Sequence, residues 1–230
     1  MRPVERLIVC VGLVLLAACL TGLFARRRQG LCVSFTLYLG AVLLSDGLVV
    51  LWPGRFRTWD FWALKESIHN LLKFGIALEL TLRTFRAFPA ARKTAAGLVL
   101  GVLLLTWFSV GPPAPLKVTG LQLALNLQPY ILAGTLWLFI AISALILWYR
   151  LPVAPLHKAL RLGFVPYLLI FTVAMNLLRA FRGDVLVLAG YFKNAAYQAL
   201  LLYWAYVAWK PGPPMGGRRP REAAAQRPAA

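Results

Sequence analysis

The chain is organised by long apolar runs broken by short basic segments. Seven runs approach the roughly 20 residues that cross a bilayer as a helix. They extend from Leu7 to Phe24, Leu31 to Trp52, Phe61 to Leu82, Thr94 to Val110, Pro129 to Trp148, Leu160 to Leu178 and Val185 to Trp209. The pattern predicts an all-α polytopic membrane protein, a bundle of seven transmembrane helices over residues 1–210. Gly111-Pro112-Pro113-Ala114-Pro115 reads as a stiff extended linker. Gln122 to Gln128 either lies on the membrane or lengthens the fifth span. Residues 211–230 are rich in Pro, Gly, Ala and Arg and lack apolar periodicity, which predicts a disordered basic tail.

Composition agrees with this picture and narrows it. The 230 residues are 60% hydrophobic and 14% charged, against about 25% charged in ordinary soluble domains. The net charge of +18 then points to loops beside an anionic leaflet and its lipid head groups, with no nucleic-acid partner. Placing the N-terminus outside puts fifteen basic residues in cytoplasmic segments and eight in outer ones. The Arg26-Arg27-Arg28 triplet carries most weight. The expected topology is N-outside and C-inside in the inner (plasma) membrane. The run Arg83 to Lys93, with Phe85, Phe88 and Pro89 between its charges, suits anionic head groups, or a protein partner docking there.

Cys10, Cys19 and Cys32 read as small buried residues and not as a disulfide framework. Leu16-Ala17-Ala18-Cys19 fits a lipoprotein cleavage box, but the apolar run continues to Phe24 and meets three arginines, so retention is expected. With only His69 and His157, a three-histidine zinc hydrolase cannot be assembled. His157 reads as a loop residue, which removes a bis-histidine haem. No cofactor or metal is expected.

Ionisable groups inside spans are costly and mark function by default. On the third span Glu66, His69, Asn70 and Lys73 fall at i, i+3, i+4 and i+7, one helical face. Depth counting at 1.5 Å per residue brings Asp46, on the second span, and Lys193, on the seventh, to a similar outer level. Asn194, Tyr197, Gln198 and Asn176 are neutral candidates nearby. Two outcomes are open: ion pairing between the second, third and seventh spans that fixes helix packing, with Glu66 expected to contact a charged or amide side chain of the second or seventh span, such as Lys193, or a ligand or proton site open to the outside. Glu79 with Arg83 at i+4 reads as a solvated interfacial pair. Pro166 should kink its helix, and Gly97-x-x-x-Gly101 permits close helix contact.

Arg57-x-x-Asp60 and Lys193 resemble the counter-ion and Schiff-base positions of microbial rhodopsins. Asp60 sits at the aqueous boundary, however, and the sixth span offers no tryptophan, so no retinal is expected. Over most of its length the chain resembles a loosely defined group of bacterial seven-helix membrane proteins of unassigned activity. The resemblance rests on Phe35-Thr36-Leu37-Tyr38, Trp62 through Glu66, Glu79 with the basic Arg83-to-Lys93 segment, and Tyr203-Trp204-Ala205-Tyr206. It implies the fold and a bacterial membrane, and no named reaction. With no nucleophile–base pair or metal cluster evident, the expectation is a non-enzymatic sensor, receptor or scaffold. A small-solute or proton-coupled transporter is the alternative, disfavoured by the lack of an inverted repeat.

Overall fold

The computed structural model describes residues 3–86, 88–110, 120–151, 155–180 and 184–211. Among these it is all-helical: α1 (Pro3–Ala25), α2 (Val33–Leu51), a one-turn α3 (Pro53–Phe56), α4 (Trp59–Phe85), α5 (Pro89–Val110), α6 (Gly120–Trp148), α7 (Pro155–Ala180) and α8 (Asp184–Trp209). The segment before Pro129 lengthens its helix, since α6 begins at Gly120 and carries Pro129 inside. The extended linker at Gly111 to Pro115 and the tail from residue 212 onward lie outside the described residues.

Four segments are long and apolar enough to cross a membrane: Arg6–Ala25, Val33–Leu51, Gln128–Trp148 and Pro155–Ala174. The chain is therefore a helical protein with the composition of a membrane protein. Its exterior has the same character. Large apolar side chains such as Val14, Leu44, Leu71, Leu105, Phe108 and Leu147 stand exposed, far beyond the patches a soluble monomer tolerates.

Six helices close a ring in the order α1, α2, α4, α6, α7, α8, with α5 outside it on α4 and α6. The centre is an aromatic plug of Phe35, Tyr38, Phe139, Phe164 and Trp204. Phe35 and Trp204 meet edge-on at 4.9 Å, and Phe139 stacks on Phe164 at 5.2 Å. Gly163 makes this packing possible. A Cβ there would lie 2.7 Å from both Leu200 Cδ1 and Trp204 Nε1. By contrast, the Gly97 and Gly101 face meets nothing within 4 Å, so the expected close contact is not made within the bundle. Cys19 and Cys32 are buried, whereas Cys10 is exposed, correcting its expected burial.

One end of the ring is stitched by polar side chains. Arg28 donates to the carbonyls of Val207 and Lys210 at 3.1 and 3.0 Å, tying the α1–α2 turn to the end of α8. Arg83 Nη1 donates to Gly30 O at 2.8 Å. His157 is not in a loop but buried in the first turn of α7, where its Nε2 meets Leu31 O at 2.9 Å. The Glu79 carboxylate accepts from the backbone N–H of Val33 and Ser34 at 3.0 and 2.7 Å. These N–H groups open α2 and have no intrahelical partner. Glu79 is thus an N-terminal cap supplied by another helix, as well as the partner of Arg83 at 2.7 Å. We call this the basic end.

Candidate functional site

The site is built on the antiparallel pair α2 and α4, which enters α4 through a conventional start. Thr58 accepts from Phe61 N–H at 3.3 Å and Asp60 lies in the first turn, both favourable at a positive helix N-terminus. From there α4 is polar inside and apolar outside. His69, Asn70 and Lys73 are buried at 6%, 1% and 4% exposure, while Leu64, Ile68 and Leu71 face outward. This inversion is what a lipid solvent imposes: hydrocarbon accepts leucine, and polar groups must find partners inside.

Partners on α2 succeed one another down the pair. At the far end Asp46 forms an ion pair with Lys65 at 3.0 Å. Deeper, Ser45 Oγ and His69 Nε2 are 3.2 Å apart, and the Tyr38 ring lies edge-on to His69 at 6.0 Å. Deeper again, Lys73 Nζ donates to Asn70 Oδ1 at 3.1 Å and stands over the rings of Tyr38 and Phe171 at 6.0 and 5.5 Å. Lys193 Nζ, from α8, approaches the same Phe171 ring at 5.3 Å. Two ammonium groups therefore converge on one ring, a favourable face for cations, directly above the aromatic plug.

The expected Glu66–Lys193 pair is not formed. Among the described residues neither side chain makes an ion pair within 4.0 Å, and Glu66 has no hydrogen-bond partner. Glu66 is half-buried within electrostatic reach of His69, Lys73 and Tyr38. Asp46 is engaged by Lys65, one turn into the third span, which the basic-residue count assigns to the outer side. Asn194 is exposed and turns away from the cluster. Gln198 reaches α1, donating to Ile8 O at 3.0 Å. The side chain of Asn176 lies outside the described residues. Tyr167 and Tyr197 pack together at 5.7 Å beside the two lysines.

Above the Asp46–Lys65 pair opens a cavity of about 320 Å³ at the far end. Its walls include Phe56, Arg57, Trp59, Phe61, Trp62 and Lys65. Trp59 and Trp62 stack at 4.8 Å, and Phe56 meets Phe61 at 5.0 Å. The sequence spacing gives no sign of this aromatic mouth, which depends on the short α3 bringing Phe56 against Phe61 of α4.

Chemically the cluster can hold and position charge. Among the described residues no group of three His, Cys, Asp or Glu side chains is placed to hold a metal ion. No serine or cysteine there is paired with a base and an orienting carboxylate; Ser45 contacts His69, but His69 has no acidic hydrogen-bond partner. No protein-family model, curated protein or solved structure matches the chain.

Proposed function

We propose that the chain spans the membrane seven times, N-outside and C-inside, in a bacterial inner membrane. In this reading it is a non-enzymatic receptor or sensor whose outward pocket takes a small anionic solute. The basic end, with Arg28, Arg83, Arg150 and Lys158, faces the cytoplasm. Support for α4 as a span comes from its apolar outer face: Lys73 is buried at mid-helix, and the exposed charges Asp60 and Arg83 stand near its two ends.

One observation carries the ligand assignment. Lys73 and Lys193 approach a single ring inside the bundle, and neither has a carboxylate within ion-pair distance among the described residues. Asp46 and Glu79 are committed elsewhere, and Glu66 acts on Lys73 from beyond ion-pair distance. One unbonded carboxylate beside two ammonium groups leaves the cluster net positive, and an anion entering from the far end offsets that charge. The cavity at Trp59 and Trp62 opens at the same end of the pair and reaches down α4 as far as Lys65, two turns short of Lys73.

A carrier is the second reading. It draws on the titratable groups Lys65, His69 and Lys73, spaced one turn apart toward the centre. The test is calorimetric titration of the protein in nanodiscs with small carboxylates and inorganic phosphate. Binding that Lys193→Met abolishes supports the pocket. No heat from any of these anions refutes it. Anion flux into liposomes through the wild-type protein would favour the carrier.

A further inference from the structure

At the basic end, the close of α6 and the start of α7 bound a second cavity, of about 690 Å³. That is within the range of roughly 300–1,000 Å³ typical of small-molecule sites. We propose that it binds the phosphate head group of an anionic phospholipid, with an acyl chain on its apolar wall. The assignment rests on the membrane reading above, but not on the outer pocket or its ligand.

Three cations line the cavity, Arg150, Lys158 and Arg161, and no acidic residue does. Arg161 is only 7% exposed. Its Nε donates to the His157 carbonyl at 3.3 Å, and its terminal nitrogens, without a protein partner among the described residues, are open to the cavity. A guanidinium is a fork of donors that fits phosphate oxygens. A phosphate seated on this fork satisfies both its charge and its hydrogen bonds.

Arg150 adds a second argument. It occupies the left-handed position that ends α6, with φ of 48°. Leu151 N–H returns to Ile146 O at 3.1 Å and Arg150 N–H to Leu147 O at 3.2 Å, the helix-ending pattern that favours glycine. A side chain is kept where the backbone prefers none, and that side chain lines the cavity. The remaining wall is mostly apolar and includes Leu147, Leu162 and Val165. Leu147 is 77% exposed and Leu162 59%, so the wall runs outward onto the apolar exterior. A lipid matches that junction of charge and hydrocarbon. A soluble anion uses only the charged half.

Native mass spectrometry tests this on the full chain released from phosphatidylcholine nanodiscs containing phosphatidylglycerol. The wild type is expected to retain phosphatidylglycerol in preference to phosphatidylcholine. The double variant Arg150→Gly, Lys158→Gln should weaken that preference by about thirtyfold, from two lost basic contacts. Arg150→Gly suits the left-handed backbone, so the melting temperature should not fall. Lys158→Gln alone, at an exposed site, should lose part of the preference. Arg6→Gln, an exposed basic residue at the start of α1 and away from the cavity, should lose none. Equal retention of both lipids by the wild type would overturn the proposal, as would an equal loss in Arg6→Gln. Displacement of the lipid by millimolar inorganic phosphate would reassign the site to a soluble anion and also overturn it. Both nanodisc leaflets have the same composition, so an error in orientation leaves this result unchanged, and calorimetry with small anions reports the outer pocket separately.

Discussion

Replacing Glu79 tests how much of the bundle depends on a cap borrowed between helices. Its carboxylate accepts from Val33 and Ser34 N–H at 3.0 and 2.7 Å and pairs with Arg83 at 2.7 Å. Hydrogen bonds to a charged group contribute about 1.5–3 kcal/mol each. The Arg83 pair is half-exposed on its arginine side and adds only about 0.3–0.5 kcal/mol. Water reaching the freed N–H groups recovers part of the loss, so Glu79→Ala should cost about 2–3 kcal/mol. Glu79→Gln keeps one acceptor oxygen but turns an amide N–H₂ toward the second donor, and should cost about half as much. Arg83→Ala should cost less than either. Unfolding by sodium dodecyl sulfate in mixed micelles, followed by helix content, measures all three. A Glu79→Ala protein within about 0.5 kcal/mol of the wild type would show that the cap contributes little and refute the reasoning.

Gly163→Val should destabilise by about 1–3 kcal/mol by overpacking Leu200 and Trp204, whereas Gly101→Ala, on an open face, should change the same micelle unfolding by less than about 0.5 kcal/mol. For Glu66→Gln and Lys193→Met the losses should add within about 0.5 kcal/mol in a double-mutant cycle, because the two groups are not paired; strong rescue in the double variant would contradict the geometry. Asp46→Asn and Lys65→Met should instead couple, by about 0.5–3 kcal/mol, through the 3.0 Å pair.

Helix positions are legible in the sequence because most of the apolar runs are long and flanked by Gly, Pro or charged residues. The inward face of α4 is legible too: Glu66, His69, Asn70 and Lys73 share a stripe that hydrocarbon cannot solvate. Partner choice is not. Asp46 and Lys65 meet because of the rotation of α2 against α4, which depth counting leaves undetermined. One-dimensional spacing shows only neighbours on the same helix, so Glu79 reads as half of an i,i+4 pair and its capping of α2 stays hidden. His157 reads as a loop residue since Pro152 and Pro155 precede it, yet Pro155 is the first residue of α7, where proline is well tolerated. Asn194 follows Lys193 in sequence, but adjacent helical residues point about 100° apart, and it faces outward.

The proposed anion-selective pocket open to the outside is tested by a single cysteine at Trp62, in the mouth of the far-end cavity, in a chain whose Cys10, Cys19 and Cys32 are replaced by serine. Intact cells are treated with membrane-impermeant thiol reagents, one a sulfonate and one a quaternary ammonium. Labelling from outside is expected, faster with the sulfonate, with that preference reduced when Lys193→Met is added and reduced further with Lys65→Met. Labelling only after the membrane is opened, or faster reaction with the ammonium reagent, would contradict it.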